Sequence, residues 1–186
     1  MKLLLAISIL FSVQASDPGT LDKFAKTQSG FYNIDTNPKV KLLATAIGNY
    51  QLHSLKSEMA LKSKKEHSAT DSEGRTLYSR INICKYDFET EEKCLQAQDS
   101  LLNNFPGDPG TVKRGVDQGQ KITPSIIVFG SKSIVIAITA CESADQKWTV
   151  FKKDLVKAFA GETDQIIVAD CGKLYWSDKA KILASK

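Results

Sequence analysis

The chain has 186 residues, 42 % of them hydrophobic and 25 % charged, with four cysteines and a formal net charge of +4. That is long enough, and apolar enough, for one domain with a real hydrophobic core. The charge is too mild to supply the dense basic face that nucleic acid requires, so no nucleic-acid partner is expected.

The chain opens MKLLLAISILFSVQAS: one lysine, an apolar run of about ten residues, then small residues, the pattern of a secretory signal peptide. Val13 and Ala15 suit the small-residue rule, which places cleavage after Ala15 and assigns residues 1–15 to the leader. Loss of Lys2 lowers the net charge from +4 to +3. No later apolar run reaches membrane-spanning length and no lipobox-like cysteine follows the leader, so the mature chain is expected to be secreted or periplasmic, with no transmembrane anchor.

Residues 16–74 read as an N-terminal helical segment and polar loop. Leu21, Phe24 and Ala25 have helical spacing within Asp17 to Ser29, with Thr20 as a cap. Phe31, Tyr32 and Ile34 form a brief apolar patch. From Val40 a second helix is expected, with Leu43, Ile47 and Tyr50 on one stripe, continued by Leu52, Leu55 and Met59. KSKKEHSATDSEGR, residues 62–75, has little to bury and reads as a charged helix end and a loop. Its Lys62, Lys64 and Lys65 are a candidate binding surface, although lysines also suit a helix C-terminus.

Residues 75–177 carry the expected core. Thr76 to Tyr86 alternates as a strand, with Leu77, Ser79, Ile81 and Ile83 on one face and Tyr78, Arg80, Asn82 and Cys84 on a wetter one. Thr90 caps a helix with the stripe Cys94, Ala97, Leu101 and Phe105, and FPGDPG at 105–110 is turn chemistry. After a polar connection, Ser125 to Phe129 and Ile134 to Ala140 form a hairpin around Gly130, Ser131, Lys132 and Ser133. Both runs are continuously apolar, which asks for cover on both faces. Ser143 and Gln146 match a capping box, Trp148, Phe151, Leu155 and Phe159 make a core-facing stripe, and Gly161 is expected to end that helix in a left-handed conformation. Gln165 to Ala169 and Lys173 to Trp176 are further short strands, and residues 178–186 form a helical or frayed tail.

From residue 75 the order strand, helix, strand, strand, helix, strand resembles the ferredoxin-like pattern. The expected fold is therefore α+β, a four-stranded mixed sheet in ferredoxin-like or sequential 1-2-3-4 order, preceded by N-terminal helices. Thr123 and Pro124 ahead of the hairpin resemble the cis-proline strand of thioredoxin-like proteins, though no CxxC accompanies them.

In an oxidising compartment the four cysteines read as two disulfides, Cys84–Cys94 and Cys141–Cys171. Their wide scatter lacks the paired spacing of zinc ligands. Catalytic spacing is absent: there is no GxSxG elbow and no phosphate loop, and Gly107, Gly110, Gly115 and Gly119 lack a Lys-Ser/Thr ending. Of the two histidines, His53 and His67, the second could ligate a metal with Asp71 and Glu73, but a flexible polar loop makes a poor site. Asp87, Glu89, Glu91 and Glu92 could supply a carboxylate pair or simply favour a helix N-terminus. Tyr175 and Trp176 could stack on a sugar or a partner, or cap the core. The expected function is an exported, disulfide-stabilised, non-catalytic binding or interaction domain with a macromolecular partner and no cofactor. An exported carboxylate hydrolase and a thiol redox protein are the alternatives.

Overall fold

The computed structural model describes residues 19–38, 47–105, 110–120, 123–141 and 146–185. The leader, the start of the second expected helix at Val40, most of the FPGDPG turn and the capping box opened by Ser143 lie outside the described residues.

Ten strands and four α-helices are described. The strands are β1 (Tyr32–Asp35), β2 (Ser54–Ser63), β3 (Ala69–Thr70), β4 (Thr76–Leu77), β5 (Arg80–Phe88), β6 (Gln118–Gln120), β7 (Ser125–Phe129), β8 (Ser133–Thr139), β9 (Gln165–Asp170) and β10 (Gly172–Ser177). The helices are α1 (Gly19–Gln28), α2 (Glu91–Asn103), α3 (Gln146–Phe159) and α4 (Lys179–Ala184). Short 3-10 turns cover Gly48–His53 and Lys65–His67.

Eight strands form one sheet in the order β1-β2-β5-β8-β7-β9-β10-β6, and every neighbouring pair is antiparallel. This overturns the four-stranded mixed sheet in either of its expected orders. The four strands expected to be the whole sheet stand as β5-β8-β7-β9. A ferredoxin-like order needs the last of them beside the first. That edge of β5 is occupied by β2, paired from Ser54↔Phe88 to Lys62↔Arg80, so β9 docks on β7 instead. The strand β2 falls where the second N-terminal helix was expected. Its residues alternate, with Met59 and Leu61 buried against one face of the sheet and Lys56 and Glu58 on the other.

The hairpin takes the expected place. In β7 and β8, Ile126, Val128, Val135 and Ala137 join one core, and Ile127, Phe129, Ile134 and Ile136 join a second core through the sheet. The first core is closed by α1, α3 and Ile182 of α4, and the second by α2, Ile47 and Val112. Covered on both faces, the strands can be apolar at every position. The face expected to be wetter is exposed at Tyr78 and Arg80 and half-buried at Asn82, but from Cys84 onward it is buried, because Cys84, Tyr86 and Phe88 pack with α2 in the second core.

Local chemistry sets the ends of the elements. Thr90 caps α2, its hydroxyl accepting from Lys93 N–H at 3.2 Å. The α3 helix ends differently from expectation: Gly161 is absent from the positive-φ glycines, and its N–H donates to Asp164 Oδ2 at 2.8 Å. At the tight β9–β10 turn Gly172 takes φ +105°, which favours glycine. Cys171, just before it, is bonded to Cys141 after β8, with 6.0 Å between the Cα atoms, as expected. Cys84 and Cys94 are free, which corrects the second expected bridge. Both lie in the α2-side core, but Cys94 Sγ turns to the Gly130 carbonyl at 3.5 Å and accepts from Gln98 Nε2, while Cys84 bonds with Tyr86. At the far edge, Trp176 N–H donates to Asp117 Oδ1 at 2.8 Å. Among the described residues no helix is long and apolar enough to cross a membrane.

Candidate functional site

The helices α1 and α3 lie on the same face of the sheet because each presents one apolar stripe. Leu21, Phe24, Ala25 and Gln28 are buried on α1, and Trp148, Phe151, Leu155 and Val156 on α3. Aromatic contacts brace the pair. Phe24 meets Phe151 and Phe159 edge-on at 5.7 and 5.3 Å, and Trp148 stacks on Phe151 at 5.4 Å.

Beyond this brace the helices leave a cleft of about 200 Å³. Phe151 and Tyr32 line it, and Phe31 and Val150 border it with 50 % and 53 % of their surfaces exposed. Its buried polar group is Gln28, whose Nε2 donates to Asp154 Oδ2 at 3.3 Å and to Thr27 Oγ1 at 3.2 Å. The 3-10 turn after β2 reaches the same rim. Lys64 N–H donates to the Phe31 carbonyl at 3.0 Å, the His67 ring lies 5.0 Å from the Phe31 ring, and Lys147 Nζ donates to the His67 carbonyl. A wider, shallower depression continues past Thr27 and Asp154 to Lys23 and Lys157. An apolar concavity with a few convergent polar groups is the usual form of a binding site. A volume of about 200 Å³ falls short of the ~300–1,000 Å³ of small-molecule and cofactor sites and suits one side chain.

The residues singled out from sequence are dispersed. Lys62 is the last residue but one of β2, with its ammonium 4.3 Å from the Tyr78 ring, Lys64 is half-buried, and Lys65 is exposed in the 3-10 turn that carries His67. Tyr175 and Trp176, neighbours on β10, point to opposite faces and do not make one platform. Trp176 is held in place: its Nε1 donates to the Lys113 carbonyl at 3.1 Å and its ring lies 6.1 Å from Phe129. Burial, helped by Asp170, pushes the Tyr175 hydroxyl up to about 12.

No protein-family model, curated protein or solved structure matches the chain.

Three of the four acids between residues 87 and 92 have local partners. Asp87 is paired with the buried Lys85, Glu89 lies 3.0 Å from Lys93, and Glu92 accepts from Gln96 Nε2 at 3.5 Å. Asp71 and Glu73 are engaged by Arg75 at 2.7 and 3.1 Å rather than gathered around His67. Among the described residues no three His, Cys, Asp or Glu side chains come together as a metal cluster. Burial pushes both free thiols, Cys84 and Cys94, up to about 11.

The cleft itself does not follow from the periodicity of either helix alone. One of two sequence signals is Val150, which interrupts the lysine side of α3 as an apolar residue where the periodicity asks for a polar one. Phe31, placed just past the end of α1, is the other.

Proposed function

We propose that the chain is an exported, non-catalytic binding domain whose recognition surface is the α1–α3 cleft. The observation that carries this reading is the pair Phe31 and Val150, each about half exposed, beside a concavity sized for one side chain. Exposed apolar groups around a small pocket are how interface hot spots are built. Export is supported by the apolar N-terminal run and by the Cys141–Cys171 bond, since such bonds persist mainly in oxidising compartments. The hydrolase alternative has weaker support. Asp154 is the single carboxylate among the described lining residues, and glycoside-type hydrolysis uses a facing pair. The redox alternative is weaker too, because reactive thiols are exposed and easily ionised.

Two measurements test the reading. Indole is titrated into the 15N-labelled mature chain, and saturable shifts confined to residues 27–32 and 147–154, weakened in Val150→Gln, are expected. Shifts absent, or scattered over the surface, sink the cleft as a recognition site. Mass spectrometry of the native protein should give an N-terminus at Ser16; a retained Met1 sinks export.

A further inference from the structure

The charges along the groove say more than its shape. Lys147 stands at one end of the groove and Lys23 and Lys157 at the other, and among the described lining residues Asp154 is the one of opposite sign. The Asp154 carboxylate is already engaged, accepting from Gln28 at 3.3 Å and lying 3.8 Å from the Lys157 ammonium. A rim of this sign draws carboxylates and repels cationic partners.

Resting on the binding reading above, we infer that the cleft's partner is an acidic peptide segment. One aromatic or branched aliphatic side chain seats between Phe31 and Val150, and Asp or Glu residues on both sides reach the lysines. Spacing along α3 sharpens this. Lys147 and Lys157 are separated by about 15 Å of helix at ~1.5 Å per residue, which an extended peptide crosses in about five residues. Val150 stands one turn from Lys147 and two turns from Lys157. One acid is therefore expected within one or two residues of the anchor, and the other about three residues beyond it on the far side. A membrane surface carries negative charge as well, but amphipathic elements enter it with a projecting apolar face. Here the exposed apolar residues, Phe31 and Val150, border a concavity that holds one side chain instead of forming a continuous projecting face, which favours the peptide.

The test is selection from a phage-displayed random-peptide library on the immobilised full-length mature chain. Peptides with an aromatic or large aliphatic residue flanked by acids are expected. A synthetic peptide of the selected sequence should bind at least about tenfold more weakly when its acids are made amides, and likewise to Lys147→Gln/Lys157→Gln. Its affinity should also fall as salt rises from about 50 to about 500 mM. Val150→Gln, a change at an exposed position that leaves the core intact, should weaken it as much. Selected peptides without acids, or with affinity unmoved by the lysine changes, overturn the acidic partner; if Val150→Gln still weakens them, the cleft reading survives. Peptides indifferent to Val150→Gln, or no enrichment at all, overturn both. Co-sedimentation with phosphatidylglycerol–phosphatidylcholine vesicles that Val150→Gln abolishes overturns the peptide in favour of a membrane.

Discussion

Cys84 and Cys94 illustrate how a residue's chemistry follows from its position. Cys84 on β5 and Cys94 on α2 are both wholly buried, and burial is the largest cause that pushes each thiol up to about 11. They should resist iodoacetamide in the native protein and react, two per chain, once guanidinium unfolds it without reductant. Labelling of the native chain contradicts this burial. The shift also has a sign. Unfolded, these thiols lose their protons near 9, whereas folded they hold them to about 11, so their contribution to stability is complete below about 9 and falls as pH rises towards 11. Denaturant melts at pH 8 and 10.5 should show the loss, and Cys84→Ser/Cys94→Ser should reduce it. Asp71 shows the opposite case. Arg75 holds its carboxyl below the usual range, so its contribution is present above the unfolded value and is lost as pH falls through the folded one. NMR titration should find Asp71 ionising at lower pH in the native chain than in Arg75→Gln; equal values exclude the guanidinium as the cause. The cysteine count alone suggested two bridges, but pairing depends on where side chains point, which spacing in the chain does not encode.

At the scale of elements, the hairpin and α3 carry the core. Phe151 touches Phe24 and Trp148 and is fully buried, so Phe151→Ala should cost about 3–5 kcal/mol in chemical denaturation. A loss under about 1 kcal/mol would mean that the aromatic brace is dispensable. The Cys141–Cys171 bond spans a sequence separation of 30, and opening it by Cys141→Ser/Cys171→Ser should cost about 3–4 kcal/mol on the chain-entropy account. These elements were legible because their signals are local: β-branched runs around turn formers in β7 and β8, and a 3.6-residue stripe in α3. The strand β2 was not. Leu52, Leu55 and Met59 imitate helical spacing, and they outweighed the period-two alternation of Ser57, Met59 and Leu61 against Lys56, Glu58 and Lys62. The polar β6, Gln118 to Gln120, owes its strand state to its pairing with β10 rather than to any propensity of its own. The cleft was illegible for the same reason, since it exists only where two helices distant in sequence lie side by side.

Across the whole molecule, the N-terminal segment belongs to the sheet. With β2 seated between β1 and β5, a fragment beginning at residue 75 would lay bare the full pairing edge of β5. Such a fragment is expected to aggregate or stay unfolded, and a monomeric, cooperatively melting fragment would contradict that. The opposite flank is managed by another device. Among the described residues the strand β6 pairs with Gly172 to Leu174, and beyond it the Asp117 carboxylate occupies the outward amide of Trp176. A visiting chain finds that one amide already taken. The expected effect of that contact is to discourage a further strand from adding beside β10 at this position. Asp117→Ala would unplug that amide, and sedimentation velocity should then record more concentration-dependent association than the parent chain shows; equal behaviour would contradict a guarding role.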